Sequence, residues 1–480
     1  MSELNNKVVS ATKWSSITEI AAKLVAPIST MVLARVLTPE AFGVLVTATM
    51  VISFAEIFTD AGFQKYIVQH EFEDEKSLFK STNVAFWSNL VMSLIIWAVI
   101  IIFADDIAEL VGNKGYGSVI AVSCFCIPLA AFSSIQMAIY RRHFDYKTLF
   151  LVRMVGVAIP LVITIPLAFI LRSYWALIAG MIGLNLSNAI ILTVKSKWKP
   201  KFEYSFQLFK QMFAFTVWSL LEAISIWLTG YIDIFIVGRM LNEYYLGIYR
   251  VSMTTVGQFT GVITAATTTV LFASLSRLQN DRNGFQDMFF KFQKIVGLLV
   301  IPIGFGIFIF SDLVTDVLLG SQWREASHFM GLWALTSSVT IVLSHYSSEI
   351  YRSLGKPKLS FVSQLLHLVV LIPVVWYFVS WGFTILCDAR ALVRLELIVV
   401  NLIIMSLVIK ISIGKMIMNV LPEILSASMM FVILLLPQNV ILPIKLFYVV
   451  LAACIYLSMI CLFKKERHIL LNLKTYLIKK

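Results

Sequence analysis

Six windows of the chain contain no Asp, Glu, Lys or Arg, and each is long enough to cross a bilayer, which takes about 20 mostly apolar residues. These windows are residues 82–104, 115–140, 173–194, 251–276, 359–387 and 424–444. Hydrocarbon offers no hydrogen-bond partner to a backbone, so a segment that crosses it must pair its own peptide groups as a helix. The windows therefore predict an all-α integral membrane protein.

The composition excludes a soluble protein. Hydrophobic residues make up 59% of the chain and charged residues only 14%, whereas soluble domains carry about 25% charged residues. The net charge of +12 could indicate nucleic acid, but short cytoplasmic loops between spans carry an excess of Lys and Arg for a different reason, the orientation of the helices. We predict contact with the lipid bilayer and no nucleic-acid partner.

The apolar windows and their flanks predict about fourteen transmembrane helices. The predicted spans are 12–36, 41–62, 82–104, 117–140, 149–171, 174–194, 208–237, 244–272, 291–310, 326–350, 360–379, 389–410, 418–437 and 444–463. Segments on the side of the N-terminus hold 29 Lys and Arg residues, and segments on the other side hold 7. This asymmetry predicts that both termini are cytoplasmic.

The two halves of the sequence resemble each other, which predicts two parallel six-helix repeats. At an offset of 204, five residues of the first half recur in the second. The pairs are Trp14 and Trp218, Ser15 and Ser219, Arg35 and Arg239, Leu37 and Leu241, and Gly43 and Gly247. The offset reaches 207 between Asp105 and Asp312, and 211 between Tyr140 and Tyr351. We predict an N-terminal lobe (1–200), a C-terminal lobe (201–412), two further helices (413–463) and a basic cytoplasmic tail (464–480). Parallel repeats with a site between them are typical of transporters, although duplication for stability alone is the alternative.

Two short motifs carry a resemblance to a known family. They are the sequence of residues 34–43, ARVLTPEAFG, and that of residues 60–63, DAGF. Together with the span count and the repeats, they resemble the oligosaccharide-lipid flippases of the multidrug/oligosaccharidyl-lipid/polysaccharide (MOP) exporter superfamily, in the bacterial branch that serves O-antigen and similar polymers. The resemblance covers nearly the whole chain.

The resemblance implies a fold and a function. It implies a central cavity between the two six-helix lobes, with alternating access to each side of the bacterial inner membrane. The implied substrate is a polyprenyl-pyrophosphate-linked oligosaccharide, moved from the cytoplasmic to the outer leaflet, and a polysaccharide polymerase is an implied partner. A multidrug or metabolite exporter of the same superfamily is the alternative. A membrane polysaccharide polymerase or ligase fits less well, because the outward loops are short.

Ionisable residues are costly inside membrane spans, so they indicate a cavity or a partner. Carboxylates in a cavity can bind a proton or Na⁺, and the candidates for ion coupling are Glu19, Glu56, Asp60 and Glu222. The alternatives are that Glu19 pairs with Lys23 one helical turn away, and that Glu56 and Asp60 reach water at the outer interface.

Two basic residues within spans are candidates for binding the pyrophosphate. Lys23 lies on the first predicted span and Arg250 on the eighth, in opposite repeats. A pyrophosphate that leaves water needs charged donors, and Lys and Arg supply them. The alternatives are that Lys23 only pairs with Glu19 and that Arg250 extends to the outer interface.

Other polar residues in the spans favour structural roles. We interpret Asp388, Arg390, Arg394 and Glu396 as an interfacial cluster, and His345 and His367 as packed neutral imidazoles. Spans three, five, six, nine, eleven, thirteen and fourteen are interpreted as lipid-facing scaffold. The sequence contains no nucleotide-binding loop, no metal-ligand spacing and no nucleophile motif, so we predict a transporter without catalytic residues, metal or cofactor.

Overall fold

The computed structural model describes residues 2–60, 62–356, 358–437 and 440–467. The described chain is built from α-helices with short π and 3₁₀ segments, and contains no strand within those ranges. The helical backbone is the one that lipid demands, and the predicted all-α membrane fold is confirmed.

The chain divides into two compact units, Met1–Arg250 and Val251–Lys480. The first unit holds eleven helices and the start of a twelfth in its described part. They are α1 (Ser2–Val36), α2 (Pro39–Asp60), α3 (Phe63–Gln69), α4 (Glu75–Ile102), α5 (Ala104–Leu110), α6 (Gly117–Ser123), α7 (Cys126–Arg142), α8 (Tyr146–Ile159), α9 (Ile165–Leu171), α10 (Trp175–Lys195), α11 (Phe206–Met240) and α12 (Glu243–Arg277). Within this unit α1 packs on α8, α4 and α10 pack on α7, and α11 packs on α2.

The second unit begins within α12 and continues through eight more helices in its described part. They are α13 (Arg282–Ile309), α14 (Ser311–Leu318), α15 (Ala326–Thr340), α16 (Ser347–Ser353), α17 (Lys358–Phe378), α18 (Phe383–Ile404), α19 (Ile413–Ser428) and α20 (Leu442–Ile460). Helix α13 packs against α15 and α19, and α18 packs against α15 and α17. Buried apolar residues of α12, α13, α16, α18, α19 and α20 form a core cluster in the described part of this unit.

Thirteen helices in the described ranges are long and apolar enough to cross a membrane. They correspond to the second to fourteenth predicted spans, so the chain is a multi-pass membrane protein. The first predicted span lies in α1, which is not among the thirteen, and the total of fourteen stays a prediction.

Water-facing helix ends are capped by side chains. Asp74 caps α4, and its carboxylate accepts a hydrogen bond from the Ser77 backbone N–H at 2.7 Å while Ser77 bonds back to Asp74. The hydrogen bond from the Ser77 backbone lowers the pKa of the Asp74 carboxyl. Asp145, Ser205, Asp281 and Ser412 cap α8, α11, α13 and α19 in the same manner. Such caps satisfy backbone donors that the helix itself leaves unpaired.

Helix boundaries recur at the offsets seen in the sequence. Helices α2 and α12 start 204 residues apart, at Pro39 and Glu243. Helices α4 and α13 both have 28 residues and start 207 residues apart, at Glu75 and Arg282. Each of these long helices is followed at once by a short one, α5 or α14. The shared boundaries support the predicted duplication, which itself stays a prediction.

Candidate functional site

A polar cavity of about 460 Å³ lies among the membrane-spanning helices of the first unit. It is lined by side chains from α2, α3, α4, α7, α10 and α11 and by Gly62 before α3. The polar lining residues are Ser53, Glu56, Thr59, Gln64, Lys65, Asn89, Ser133, Ser134, Asn185 and Asn188. We call this space the N-terminal polar cavity. Amides and hydroxyls make up most of its polar lining, so it can both donate and accept hydrogen bonds.

Asn89 of α4 is the most deeply buried amide of the cavity, with 0% exposure. Its Nδ2 donates to the hydroxyl of Ser134 at 2.7 Å and to the Ala131 carbonyl at 3.4 Å. Its Oδ1 has no hydrogen-bond partner within the described ranges. A buried acceptor without a partner is costly, so this oxygen is an unmet hydrogen-bonding group beside the cavity.

Helix α11 closes one side of the cavity. Trp227 Nε1 donates to the Ser53 hydroxyl at 3.0 Å. The Trp227 and Phe54 rings pack together with 4.8 Å between their centres. At the α3 side, Arg141 donates to Gln64 Oε1 at 3.0 Å. These contacts fix α2, α7 and α11 around the polar space.

Among the four predicted ion-coupling carboxylates, Glu56 lines the N-terminal polar cavity and is half-buried. The side chains of Glu19, Asp60 and Glu222 lie outside the part of the chain whose side chains are described. Their role, like that of Glu56, stays a prediction.

Lys23 and Arg250, the two residues predicted to bind the pyrophosphate, are half-buried and do not line this cavity. Lys23 lies on α1, the helix that packs on α8. Arg250 lies on α12 with its guanidinium 5.7 Å from the centre of the Tyr231 ring of α11. A guanidinium over an aromatic face keeps its charge while the ring shields one side, so Arg250 can still offer donors to an anion.

Asp233 of α11 has a packing role. It is 2% exposed, and the hydroxyl of Tyr249 donates to its Oδ2 at 2.8 Å. This bond ties α11 to α12 one residue before Arg250, which orients the helix that carries the guanidinium.

The second unit contains an apolar groove of about 670 Å³. It is formed by α13, α14, α20, the 3₁₀ segment after α19 and Phe259 of α12. Tyr456 is the one lining residue with a polar side-chain group, and its hydroxyl donates to the Leu298 carbonyl at 3.1 Å. Because that hydroxyl is already bonded, the described lining of the groove offers mainly hydrocarbon contacts.

The predicted interfacial cluster on α18 is partly wrong, because Arg390 is only 6% exposed. Arg390 and Arg394 both stack on the Trp333 ring, 4.9 and 4.0 Å from its centre. Glu396 bonds to His367 Nδ1 at 2.9 Å, as expected for a packed histidine. The sequence interpretation missed Trp333 of α15, which shields both guanidinium groups.

The interpretation of span nine as lipid-facing scaffold is wrong, because 61% of its window is buried. Span thirteen is only 33% buried, but it carries a buried carboxylate. Glu423 of α19 is 0% exposed, and both of its carboxylate oxygens lack a hydrogen-bond partner within the described ranges. Nearby, Lys294 of α13 forms a buried ion pair with Glu466 after α20. Glu423 was the available signal, because an acidic residue within a span is rarely exposed to lipid.

The sequence interpretation also missed the amides of the N-terminal polar cavity. Asn185 and Asn188 are three positions apart on α10, and Asn89 is in an otherwise apolar stretch of α4. Amides at helical spacing within uncharged spans indicate helix–helix hydrogen bonding or a cavity. Amides carry no charge, so the cost of burying a charge in a span does not single them out.

Comparison with known proteins assigns the family. A profile described as "Polysaccharide biosynthesis protein" matches residues 32–328. The chain belongs to this family. The succinoglycan biosynthesis transport protein ExoT of Rhizobium meliloti is 23% identical over 326 residues, which cover 68% of this chain and 65% of ExoT. The chain therefore aligns with slightly less than two thirds of that relative.

Solved structures share the fold. The lipid II flippase MurJ in an inward closed conformation matches with a TM-score of 0.74 at 15% identity, covering 94% of this chain and 98% of MurJ. An inward-facing multidrug resistance transporter of the MATE family and MOP superfamily matches with a TM-score of 0.61 at 12% identity, covering 80% of this chain and 96% of the transporter. The predicted resemblance to bacterial polysaccharide-biosynthesis proteins is confirmed by the family match, and these two structures show that the chain shares their fold.

Proposed function

We propose that this polysaccharide biosynthesis protein is a flippase that moves a polyprenyl-pyrophosphate-linked oligosaccharide from the cytoplasmic to the outer leaflet of the bacterial inner membrane by alternating access. The amide and hydroxyl lining of the N-terminal polar cavity carries the proposal. Sugar hydroxyls need partners that both donate and accept, and Asn and Ser side chains supply both. Family membership and the fold of a lipid II flippase support this assignment.

The proposal assigns the other parts of the substrate by their chemistry. The apolar groove of the second unit suits an isoprenoid chain, because each of its walls is hydrocarbon. Lys23 and Arg250 are proposed to bind the pyrophosphate, since two or more negative charges need cationic donors in a low-dielectric site. Glu56 is proposed to take up the coupling ion, with Glu19, Asp60 and Glu222 as the other candidates.

A deletion strain tests the function directly. We expect the lipid-linked oligosaccharide to accumulate on the cytoplasmic leaflet and the surface polymer to be lost, because the precursor is still made but not moved. The measurement is the leaflet distribution of extracted lipid-linked sugar and the amount of surface polymer. An intact polymer without accumulation would contradict the flippase, and loss of dye efflux instead would favour the multidrug exporter.

Variants returned to that strain test the site. Asn188→Ala should lower the amount of polymer several-fold at normal membrane abundance, whereas Ser187→Ala, the adjacent residue on α10 that bonds to Leu184 O and does not line the cavity, should not. Arg250→Ala should abolish transport and Arg250→Lys should restore it partly, because lysine lacks the bidentate fork. Equal polymer from all of these variants would remove the cavity and Arg250 from the mechanism.

The same assay separates the remaining assignments. Lys23→Ala should resemble Arg250→Ala if both residues bind the pyrophosphate. Gln or Asn in place of each candidate carboxylate should abolish gradient-dependent transport at one position or more. Full transport by all four single variants would rule out their role in ion coupling.

A further inference from the structure

A segment without regular secondary structure, residues 196–205, packs against the N-terminal half of α4. The buried Asn83 of α4 fixes it: Asn83 Oδ1 accepts from Trp198 Nε1 at 3.1 Å and from the Lys201 backbone N–H at 3.2 Å. Trp87 Nε1 in turn donates to the Lys201 carbonyl at 2.8 Å. Trp198 is 3% and Asn83 is 2% exposed. Three hydrogen bonds therefore anchor the segment to α4 in the first unit.

The lysines of this segment are exposed beside α4. Ser196 and Trp198 are buried, whereas Lys197, Lys199 and Lys201 are exposed. Lys76 and Lys80 lie one turn apart on α4, on one helix face. Together these five lysines line a pocket of about 530 Å³, which we call the lysine pocket.

Acidic residues do not neutralise the lysine pocket. Glu75 and Glu203 are its two acidic lining residues, against five lysines. The ammonium of Lys199 bonds to the carbonyl of Thr193 at the end of α10, so its charge stays near the pocket. Like charges held close together repel one another, and an anion bound between α4 and the segment would relieve that repulsion.

The surroundings of the pocket are those of a membrane surface. Phe202, Tyr204 and Phe206 follow directly in the chain and are 91%, 53% and 72% exposed. The Phe202 ring stacks on Trp87 with 4.5 Å between ring centres. Exposed aromatics beside lysines at the ends of spanning helices are typical of the headgroup level of a bilayer. The nearest abundant anion at that level is a lipid phosphate, since basic pockets beside spans bind acidic headgroups.

We propose that the lysine pocket binds the phosphate headgroup of an acidic phospholipid. The site is separate from the N-terminal polar cavity and shares no lining residue with it. It does not depend on the proposed transport function, because headgroup binding can be measured without transport.

The test uses the full chain, purified in detergent and titrated with phosphatidylglycerol, with bound lipid counted by native mass spectrometry. One variant changes four pocket lysines to Gln: Lys76, Lys80, Lys197 and Lys201. A matched control removes the same charge from exposed lysines of the second unit: Lys356, Lys358, Lys410 and Lys415. We expect the pocket variant to bind at least about tenfold more weakly, since each lysine at a membrane surface contributes about fivefold, and the control to bind like the wild type.

Three competitors identify the anion. Phosphatidylcholine should not displace phosphatidylglycerol, and inorganic phosphate should not do so either. Displacement by inorganic phosphate would overturn the lipid assignment in favour of a soluble anion. Displacement by a polyprenyl diphosphate at lower concentration would instead assign the pocket to the transport substrate. Equal binding by the pocket variant and its control would overturn the site itself. All the exchanged lysines are exposed, so both variants should elute and melt like the wild type.

Discussion

At the scale of single residues, buried charge is the strongest structural constraint in this protein. Lys294 and Glu466 are 7% and 2% exposed and form an ion pair in the second unit. Glu423 packs against α13 at Gly297, about one turn after Lys294. A Cβ added to Gly297 would lie at an ordinary van der Waals distance from Glu423 Cγ. The Lys294–Glu466 pair thus lies near a second buried carboxyl group, that of Glu423. Removing one partner of a buried ion pair destabilises the folded protein by more than the intact pair stabilises it.

Lys294→Met should therefore destabilise the protein strongly, by about 3–5 kcal/mol, because Glu466 would be left buried without its cation. The measurement is the free energy of unfolding of the purified protein in detergent. Lys291→Met on the same helix is the control, since Lys291 is exposed. Lys294→Met combined with Glu466→Gln should recover part of the loss. An unchanged stability of the single variant would show that the ion pair does not form.

Residue identity alone predicted only part of the candidate site. Glu56 was selected because a carboxylate in a span is rare, and it does line the N-terminal polar cavity. Asn89 and Asn188 were not selected, because an amide can satisfy itself on a neighbouring helix without any cavity. The Lys294–Glu466 pair joins positions 172 residues apart, and such long-range pairing is not visible in a local charge pattern.

At the scale of helices, apolar length predicted the spans better than it predicted helix ends. The fourth predicted span, 117–140, agrees closely with the observed Gly117–Arg142. The predicted span 82–104 begins seven residues after the observed start of α4 at Glu75. Hydropathy finds the part of a helix that lipid covers, whereas the Asp74 cap sets where the helix begins. The short helices α5 and α14 were predicted as loops, because the apolar windows end before them.

Helices α2 and α12 cross at two glycines that occupy equivalent positions of the proposed repeats. A Cβ on Gly43 would overlap the carbonyl of Glu243, and a Cβ on Gly247 would overlap the carbonyl of Pro39. Gly43 and Gly247 are 204 positions apart, as are Pro39 and Glu243. The contact is thus reciprocal, and it uses backbone atoms that cannot rotate away.

Gly247→Ala should destabilise the protein by about 1–3 kcal/mol, since overpacking a backbone contact forces the helices apart. Gly257→Ala is the matched control on the same helix, because a Cβ there meets nothing within 4 Å. We expect it to be neutral or stabilising by up to about 1 kcal/mol, the helix propensity of alanine over glycine. The comparison is made by unfolding both purified variants, and equal stabilities would show that the crossing is not closely packed.

At the scale of the whole molecule, packing and sequence repeat divide the chain differently. The first compact unit ends at Arg250, inside α12, whereas the predicted first lobe ends at residue 200. Helix α11 packs against α2, α3 and α4, so it belongs to the first unit by contact although the repeat places it at the start of the second lobe. A sequence repeat reflects duplication of a segment, whereas a compact unit reflects which helices pack together. A local sequence pattern does not show which neighbouring helix a given helix contacts. The lobe boundary of the repeat stays a prediction.

The orientation of the whole molecule in the membrane rests on the distribution of lysine and arginine. Both termini are predicted in the cytoplasm by the 29 to 7 split. Lys114, between α5 and α6, is then outside, and Lys356, between α16 and α17, is inside. Both side chains are exposed, so either position accepts a cysteine without disturbing a contact in the core.

Lys114→Cys should react with an impermeant maleimide on intact cells, and Lys356→Cys should react only after the membrane is permeabilised. The background should lack the exposed Cys454 and the half-buried Cys461, which could react themselves. The five lysines of the lysine pocket lie on the same predicted side as Lys356, so Lys80→Cys provides an independent second reporter for that side. Labelling of Lys356→Cys and Lys80→Cys from outside would contradict the predicted topology, and it would place the lysine pocket at the outer face of the membrane.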